Sequence, residues 1–191
     1  MARWGWIVAV LVAAPAAAQT PYLDERARLQ AQVQALNTAL LSHASATAVL
    51  QAYCDRRGAG LGRIRARKGP ISEDPRPVAA ARRQLGVGPA EPVRQRRVEL
   101  LCGEVVLSRA DNWYLPNRLT PQMNTTLQTT ERPFGVVVAP LGFERRTLAA
   151  RVLFEPLPAD WESEPELYAA PVDVPADILQ HRAVLQTRDG R

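Results

Sequence analysis

Lysine is nearly absent from this chain. Lys68 is the single one, and arginine carries almost all of the positive charge. The balance of 24 Lys+Arg against 19 Asp+Glu leaves a formal charge of only +5. An arginine share of this kind follows genome base composition as readily as function, so it carries no weight alone. The excess is compatible with an anionic ligand or surface. No basic repeat interleaved with aromatics and no helix-turn-helix pattern is present, which argues against a nucleic-acid partner. The two histidines, His43 and His181, share no ligand spacing with the two cysteines, so no metal site is expected. No glycine-rich phosphate loop and no internal repeat occurs. Ser45 and Ser108 lack any motif-level arrangement with His and Asp, so nucleophilic catalysis has little support. These absences leave no expected cofactor.

Long apolar runs are also missing, apart from one at the start. Residues 1–18, MARWGWIVAVLVAAPAAA, read as a secretory signal peptide. Arg3 supplies the positive n-region, residues 7–14 the apolar core, and Ala16, Ala17 and Ala18 the small-residue cleavage pattern. The run is too short to span a bilayer, which takes roughly 20 apolar residues. The alternative is an uncleaved N-terminal anchor. With cleavage, the chain is expected to begin near Gln19, to lie in the bacterial periplasm and to have no membrane contact. The remaining length, about 170 residues, suits a single domain with its own core.

Only two cysteines occur, Cys54 and Cys102. In an oxidising compartment they form a disulfide; the other reading is a pair of buried free thiols. The residues leave both open.

Residues 24–54 have apolar positions Leu29, Val33, Leu36, Leu40 and Leu41 near the helical period. Ser45 has the character of an N-cap for a second helix, so a break near His43 and Ala44 is expected. Residues 62–69 alternate arginine with apolar or small residues, as a half-exposed strand does. Residues 69–92 hold five prolines and read as loop, with a short helix in PVAAARRQLGV. Residues 94–103 and 104–116 read as two strands of a hairpin turning at Gly103 and Glu104, with Val98, Leu100 and Cys102 on one face. Thr120 followed by Pro121 starts a helix that runs to about Thr129. Pro133 and Gly135 mark a tight turn. Residues 143–157 and 178–190 read as strands around a Pro- and acid-rich loop, 158–177. Asp189 and Gly190 signal a further turn whose second arm would lie beyond Arg191, so the expectation is either that a last strand is missing or that the terminal strand ends free. The sum is an α+β fold: a mostly antiparallel sheet with helices packed on one face.

Arg97 opens a strand of buried character. It reads either as a buried guanidinium that captures an anion, or as an exposed strand-end arginine beside Arg94 and Arg96. Trp113 and Tyr114 read as core packing, with stacking on a cyclic ligand as the alternative. Glu131 and Arg132 read as a surface pair, and the sequon at Asn124 as chance.

The order RVELLC, then an antiparallel partner, a helix and RPFG, over residues 97–135, resembles the core of the chorismate lyase family. With Ser45, Ala46, Thr47 and Leu50 added, the likeness covers about residues 38–55, 94–157 and 183–191. That family converts chorismate to 4-hydroxybenzoate and pyruvate without a metal or cofactor. Its fold also serves the ligand-sensing domains of GntR-type regulators. The resemblance implies that Arg97 binds a ligand carboxylate and that the Phe134 backbone N–H, in the Pro-X-Gly turn with Gly135, meets the same group. It also implies that Ala46 and Thr47 line the pocket. The family's catalytic glutamate follows the turn that matches Asp189 and Gly190, beyond Arg191. Binding of a small carboxylate is therefore expected to outlast the chemistry. The rival expectations are a non-catalytic binding module and a structural protein of the envelope.

Overall fold

A computed structural model describes residues 21–58, 60–69 and 76–187. The expected signal peptide and the Asp189–Gly190 turn lie outside these residues. The chain is α+β; the described residues form five α-helices and two antiparallel sheets of three and two strands.

Helix α1 spans Pro21–Ser42. Its inward stripe is Arg26, Gln30, Val33, Asn37 and Leu40, spaced by three and four residues, and only Val33 is fully buried. A new helix, α2 (Ala46–Arg57), starts behind the Ser45 N-cap, whose hydroxyl accepts the Ala48 N–H at 3.2 Å. The break thus falls where the capping chemistry places it, while α2 runs three residues past Cys54.

Strand β1 is short, Arg65–Lys68. The proline-rich stretch that follows carries the expected short helix, α3, Arg76–Leu85, ten residues long. Its run of Ala, Arg, Gln and Leu consists of strong helix formers. Gly86, at φ +66°, ends it: the Gly86 N–H donates to Arg83 O and the Val87 N–H to Arg82 O.

Strands β2 (Arg94–Cys102) and β3 (Val105–Tyr114) form the hairpin. Gly103, at φ +58°, takes the first loop position, as a type II′ turn requires. The sheet order is β1-β2-β3, antiparallel throughout, with a bulge between Leu100 and Leu101. Period-two alternation divides β2: Arg96, Val98 and Leu100 face inward, while Gln95, Arg97 and Glu99 face outward. The bulge then lets both Leu101 and Cys102 be buried.

Helix α4 (Pro121–Thr129) starts with the Thr120 hydroxyl accepting the Met123 N–H and with proline at its first position. The Pro-X-Gly turn opens a five-residue helix, α5, Phe134–Val138. Strands β4 (Phe143–Val152) and β5 (Leu179–Thr187) pair antiparallel. Strand β4 ends five residues before its alternation suggests. Residues 153–178 leave the sheet and return toward α1, where Arg26 donates to Pro156 O and Ala170 O.

Helix α2 lies on the inner face of the three-stranded sheet. Leu50 and Cys54 pack there on Ile64, Ala66, Val98, Leu100 and Cys102. A second cluster joins Tyr114, Leu127 and Val137, with Leu119, Met123 and Phe134 against it. Tyr114 is therefore core, 5.5 Å from the Phe134 ring between centroids. The outer face of the sheet carries ion pairs: Arg67 and Arg109 flank Glu99, and Arg97 pairs with Asp111. No described helix is long and apolar enough to cross a membrane.

Candidate functional site

A cavity of about 120 Å³ lies where the two core clusters meet. Helix α2 gives Ala46, Thr47 and Leu50. The sheet gives Val98, Leu100, Ser108, Ala110 and Asn112, and α5 gives Phe134 and Gly135. The spacings explain the walls. Ala46 and Leu50 are one helical turn apart, Val98 and Leu100 one strand period apart, and Ser108, Ala110 and Asn112 alternate along β3.

The starts of α2 and α5 converge here. A Cβ on Gly135 would stand 3.0 Å from Thr47 Oγ1 and 3.5 Å from Ser45 Oγ, so glycine is what permits the approach. Ala46 and Thr47 open α2, and Phe134 and Gly135 open α5, so their N–H groups have no acceptor within their own helices. Val136 and Val137, by contrast, donate to Pro133 O. The polar atoms around the cavity are thus backbone donors, the Thr47 and Ser108 hydroxyls and the Asn112 amide. Asn112 donates to Arg96 O at 3.3 Å. No lining residue is an acid, a histidine, a lysine or an arginine. Among the described residues no group of His, Cys, Asp and Glu is placed to hold a metal.

The cavity brings together four of the residues singled out in the sequence, Ala46, Thr47, Phe134 and Gly135. It does not include Arg97. That side chain is one residue out of phase with the cavity face. Its Nε and Nη2 donate to the Asp111 carboxylate at 2.7 and 2.9 Å on the outer face, both groups being well exposed. The guanidinium holds the Asp111 carboxyl below the usual carboxylate range, and Asp111 in turn raises Arg97.

The inward arginine is its neighbour, Arg96, only 6% exposed. It faces no carboxylate. Its Nε donates to Leu127 O at 3.0 Å, and its Nη2 to Thr130 O and Arg132 O at 3.2 and 3.1 Å. Two of those carbonyls belong to the C-terminal end of α4, where a cation complements both the free carbonyls and the helix dipole. Burial lowers the Arg96 pKa. Its Nη1 is buried without a partner in the protein. Arg96 therefore ties α4 to the segment that enters Phe134. The strand alternation that puts Val98 and Leu100 inside marks Arg96 as well, and that signal was available in the sequence.

Cys54 and Cys102 form a disulfide with Cα atoms 5.7 Å apart, so the bridge and not the free pair is present. Glu131 pairs with Arg65 at 3.2 Å and not with Arg132, whose carbonyl serves Arg96. Ser45 is a cap and Ser108 a cavity wall.

No family model matches the chain. It is 43% identical over 169 residues to the uncharacterized protein y4mC of Sinorhizobium fredii (strain NBRC 101917 / NGR234), over 86% of this chain and 71% of that one. Identity of that extent places the chain in the same family as y4mC.

Proposed function

We propose that this protein is an exported, chorismate lyase-like binding protein that holds a small aromatic carboxylate between α2, the three-stranded sheet and α5. The observation that carries this reading is the cavity itself. Ala46, Thr47, Phe134 and Gly135, which the resemblance assigns to a ligand, meet around one space. Its volume of about 120 Å³ is on the scale of a single ring; an engineered apolar cavity of roughly 150 Å³ takes up benzene. Leu50, Val98, Leu100 and Phe134 would cover the ring. The N–H groups at the two helix starts suit a carboxylate, because they are donors that no backbone acceptor claims. The Ser108 hydroxyl and Asn112 amide suit a ring hydroxyl. Export is supported by the signal-peptide pattern of residues 1–18 and by the disulfide.

Binding without turnover is the form of the reading that the lining favours. Elimination of pyruvate needs a group to move a proton, typically worth 10²–10⁴-fold, and no lining side chain titrates near neutral pH. The test is to add 4-hydroxybenzoate to the purified chain and follow its thermal midpoint, and in parallel to add chorismate and follow 4-hydroxybenzoate formation. A raised midpoint that Gly135→Val abolishes, with no turnover, is expected. Turnover would make the protein a lyase. No shift with 4-hydroxybenzoate, benzoate or chorismate would remove the aromatic carboxylate from consideration.

A further inference from the structure

The disulfide joins the two walls of the cavity. Ala46, Leu50 and Cys54 follow one another at four-residue steps on one face of α2, and the first two line the cavity. Val98 and Leu100 line it from β2, and Cys102 ends the same strand beyond the bulge. The Cys54–Cys102 bond therefore closes the bottom of a wedge whose sides are α2 and β2 and whose contents are the ligand space. Beside it, α2 is held by apolar contacts of Leu50 and Cys54 with the sheet and by the Gln51 side-chain amide, whose Oε1 accepts the Ile64 N–H and whose Nε2 donates to Gly62 O.

We propose that the Cys54–Cys102 disulfide is a redox clamp on this cavity: the oxidised chain is the ligand-holding form, and a ligand in the cavity shields the disulfide from reduction. The two sulfurs lie in residues 0% and 1% exposed. A reductant cannot reach them until α2 lifts from β2. Such lifting also takes Ala46, Thr47 and Leu50 away from Val98 and Leu100, and so dismantles the ligand space. One opening motion thus exposes the bond and releases the ligand, and linkage makes the two effects reciprocal. The reductant is a dithiol. Its thiolate attacks one sulfur, the S–S bond breaks, and its second thiol resolves the mixed disulfide. The dithiol ends as its own disulfide, and Cys54 and Cys102 end as two thiols that have taken up two electrons and two protons. In an oxidising compartment the clamp stays closed; in a reducing one it opens and binding weakens.

The inference uses the proposed ligand class only as a probe, so the experiment has two arms. In the first, the oxidised full chain is mixed with dithiothreitol, with and without 4-hydroxybenzoate, and the new thiols are alkylated and counted by mass. Reduction about tenfold slower at ten times the dissociation constant is expected, since the ligand holds only the closed form. In the second, backbone hydrogen exchange is compared in oxidised and reduced protein without ligand. Exchange at least tenfold faster on reduction is expected in α2, with little change in β4 and β5. If 4-hydroxybenzoate does not bind the oxidised chain, the proposed ligand class fails and the exchange arm alone decides the clamp. Equal exchange of α2 in the two redox forms, a rise spread evenly over the whole chain, or reduction at the unligated rate in protein saturated with 4-hydroxybenzoate each overturns it.

Discussion

Gly135 sits against the side chain of Thr47 so closely that a single added methyl would stand 3.0 Å from the threonine hydroxyl. Two helix starts, 88 positions apart in the chain, are thereby brought edge to edge at the mouth of one cavity. Thr47 is itself buried and belongs to the first turn of a capped helix, so it has little freedom to withdraw. Gly135→Ala is expected to cost about 1–3 kcal/mol, the usual range for overpacking. Thr47→Ala removes the atom that the new Cβ would strike. The double variant should therefore be more stable than the sum of the single changes predicts. Urea unfolding of the four proteins of this cycle measures the coupling. Simple additivity would mean that the two helix starts do not touch in solution.

The Ser45 cap gives a second handle on the same wall. Its hydroxyl takes the Ala48 N–H, and Ala46 and Thr47 follow directly behind it. Ser45→Ala should lower stability by about 1 kcal/mol, and Ser45→Gly by less, as measured caps generally behave. Ligand affinity should fall along with stability, because the cap fixes the first turn that lines the cavity. Isothermal titration with 4-hydroxybenzoate at matched temperatures reads this directly. A variant with normal affinity would place the ligand away from the α2 start.

Arg96 and Arg97 are adjacent in sequence and opposite in consequence. Arg96 satisfies three carbonyls from a buried position, and Arg97 makes an exposed pair with Asp111. Arg96→Met strands the buried Leu127 carbonyl and two part-buried ones and should cost about 1–3 kcal/mol, the range for buried groups left unpaired. Arg96→Lys should recover only part of this, since an ammonium on a flexible stem cannot reproduce the planar fork. Arg97→Ala should leave the unfolding midpoint close to that of the parent, because exposed ion pairs contribute little. It should also leave the binding of 4-hydroxybenzoate unchanged. A loss of binding in Arg97→Ala would return that residue to the ligand site.

These neighbours show what could be read from the sequence. The helix break at Ser45, the hairpin at Gly103 and the Thr120–Pro121 helix start were legible because each is written in local chemistry: a cap, a two-residue turn, a fixed φ. The cavity residues Ala46, Thr47, Phe134 and Gly135 were reachable only through a resemblance, since nothing local joins residue 47 to residue 135. Resemblance then pointed at Arg97, where alternation with Val98 and Leu100 selects Arg96. Helix α3 was legible despite the prolines around it, because its own alanine-rich run and Gly86 stop are local signals. The division of the strands into two sheets had no local signal, because both sets alternate alike.

His181 gives the interface between α1 and the two-stranded sheet a dependence on pH. Its Nε2 lies 2.9 Å from Asn37 Oδ1, an acceptor, so the Nε2 carries the proton and Nδ1 is bare; that Nδ1 is buried without a partner. Burial and the charge of Arg145 lower its pKa. Arg145 is itself held on this face by Leu40 O and the Thr147 hydroxyl, 2.8 and 2.9 Å away. The sign follows from the depressed value. The unfolded chain protonates this histidine near 6.5, whereas the folded chain resists. Stability is therefore fully present above that pH and is lost as the pH falls from about 6.5 through the lower folded value. The carboxylates that pair with arginine, Glu99 and Asp111, are held below the usual carboxylate range by those partners. Urea midpoints of the parent and of His181→Gln, taken at pH 7.5, 6 and 5, should therefore diverge: the parent loses stability through the interval and the variant loses less. Parallel curves would show that His181 is solvated in both states and that α1 does not cover it.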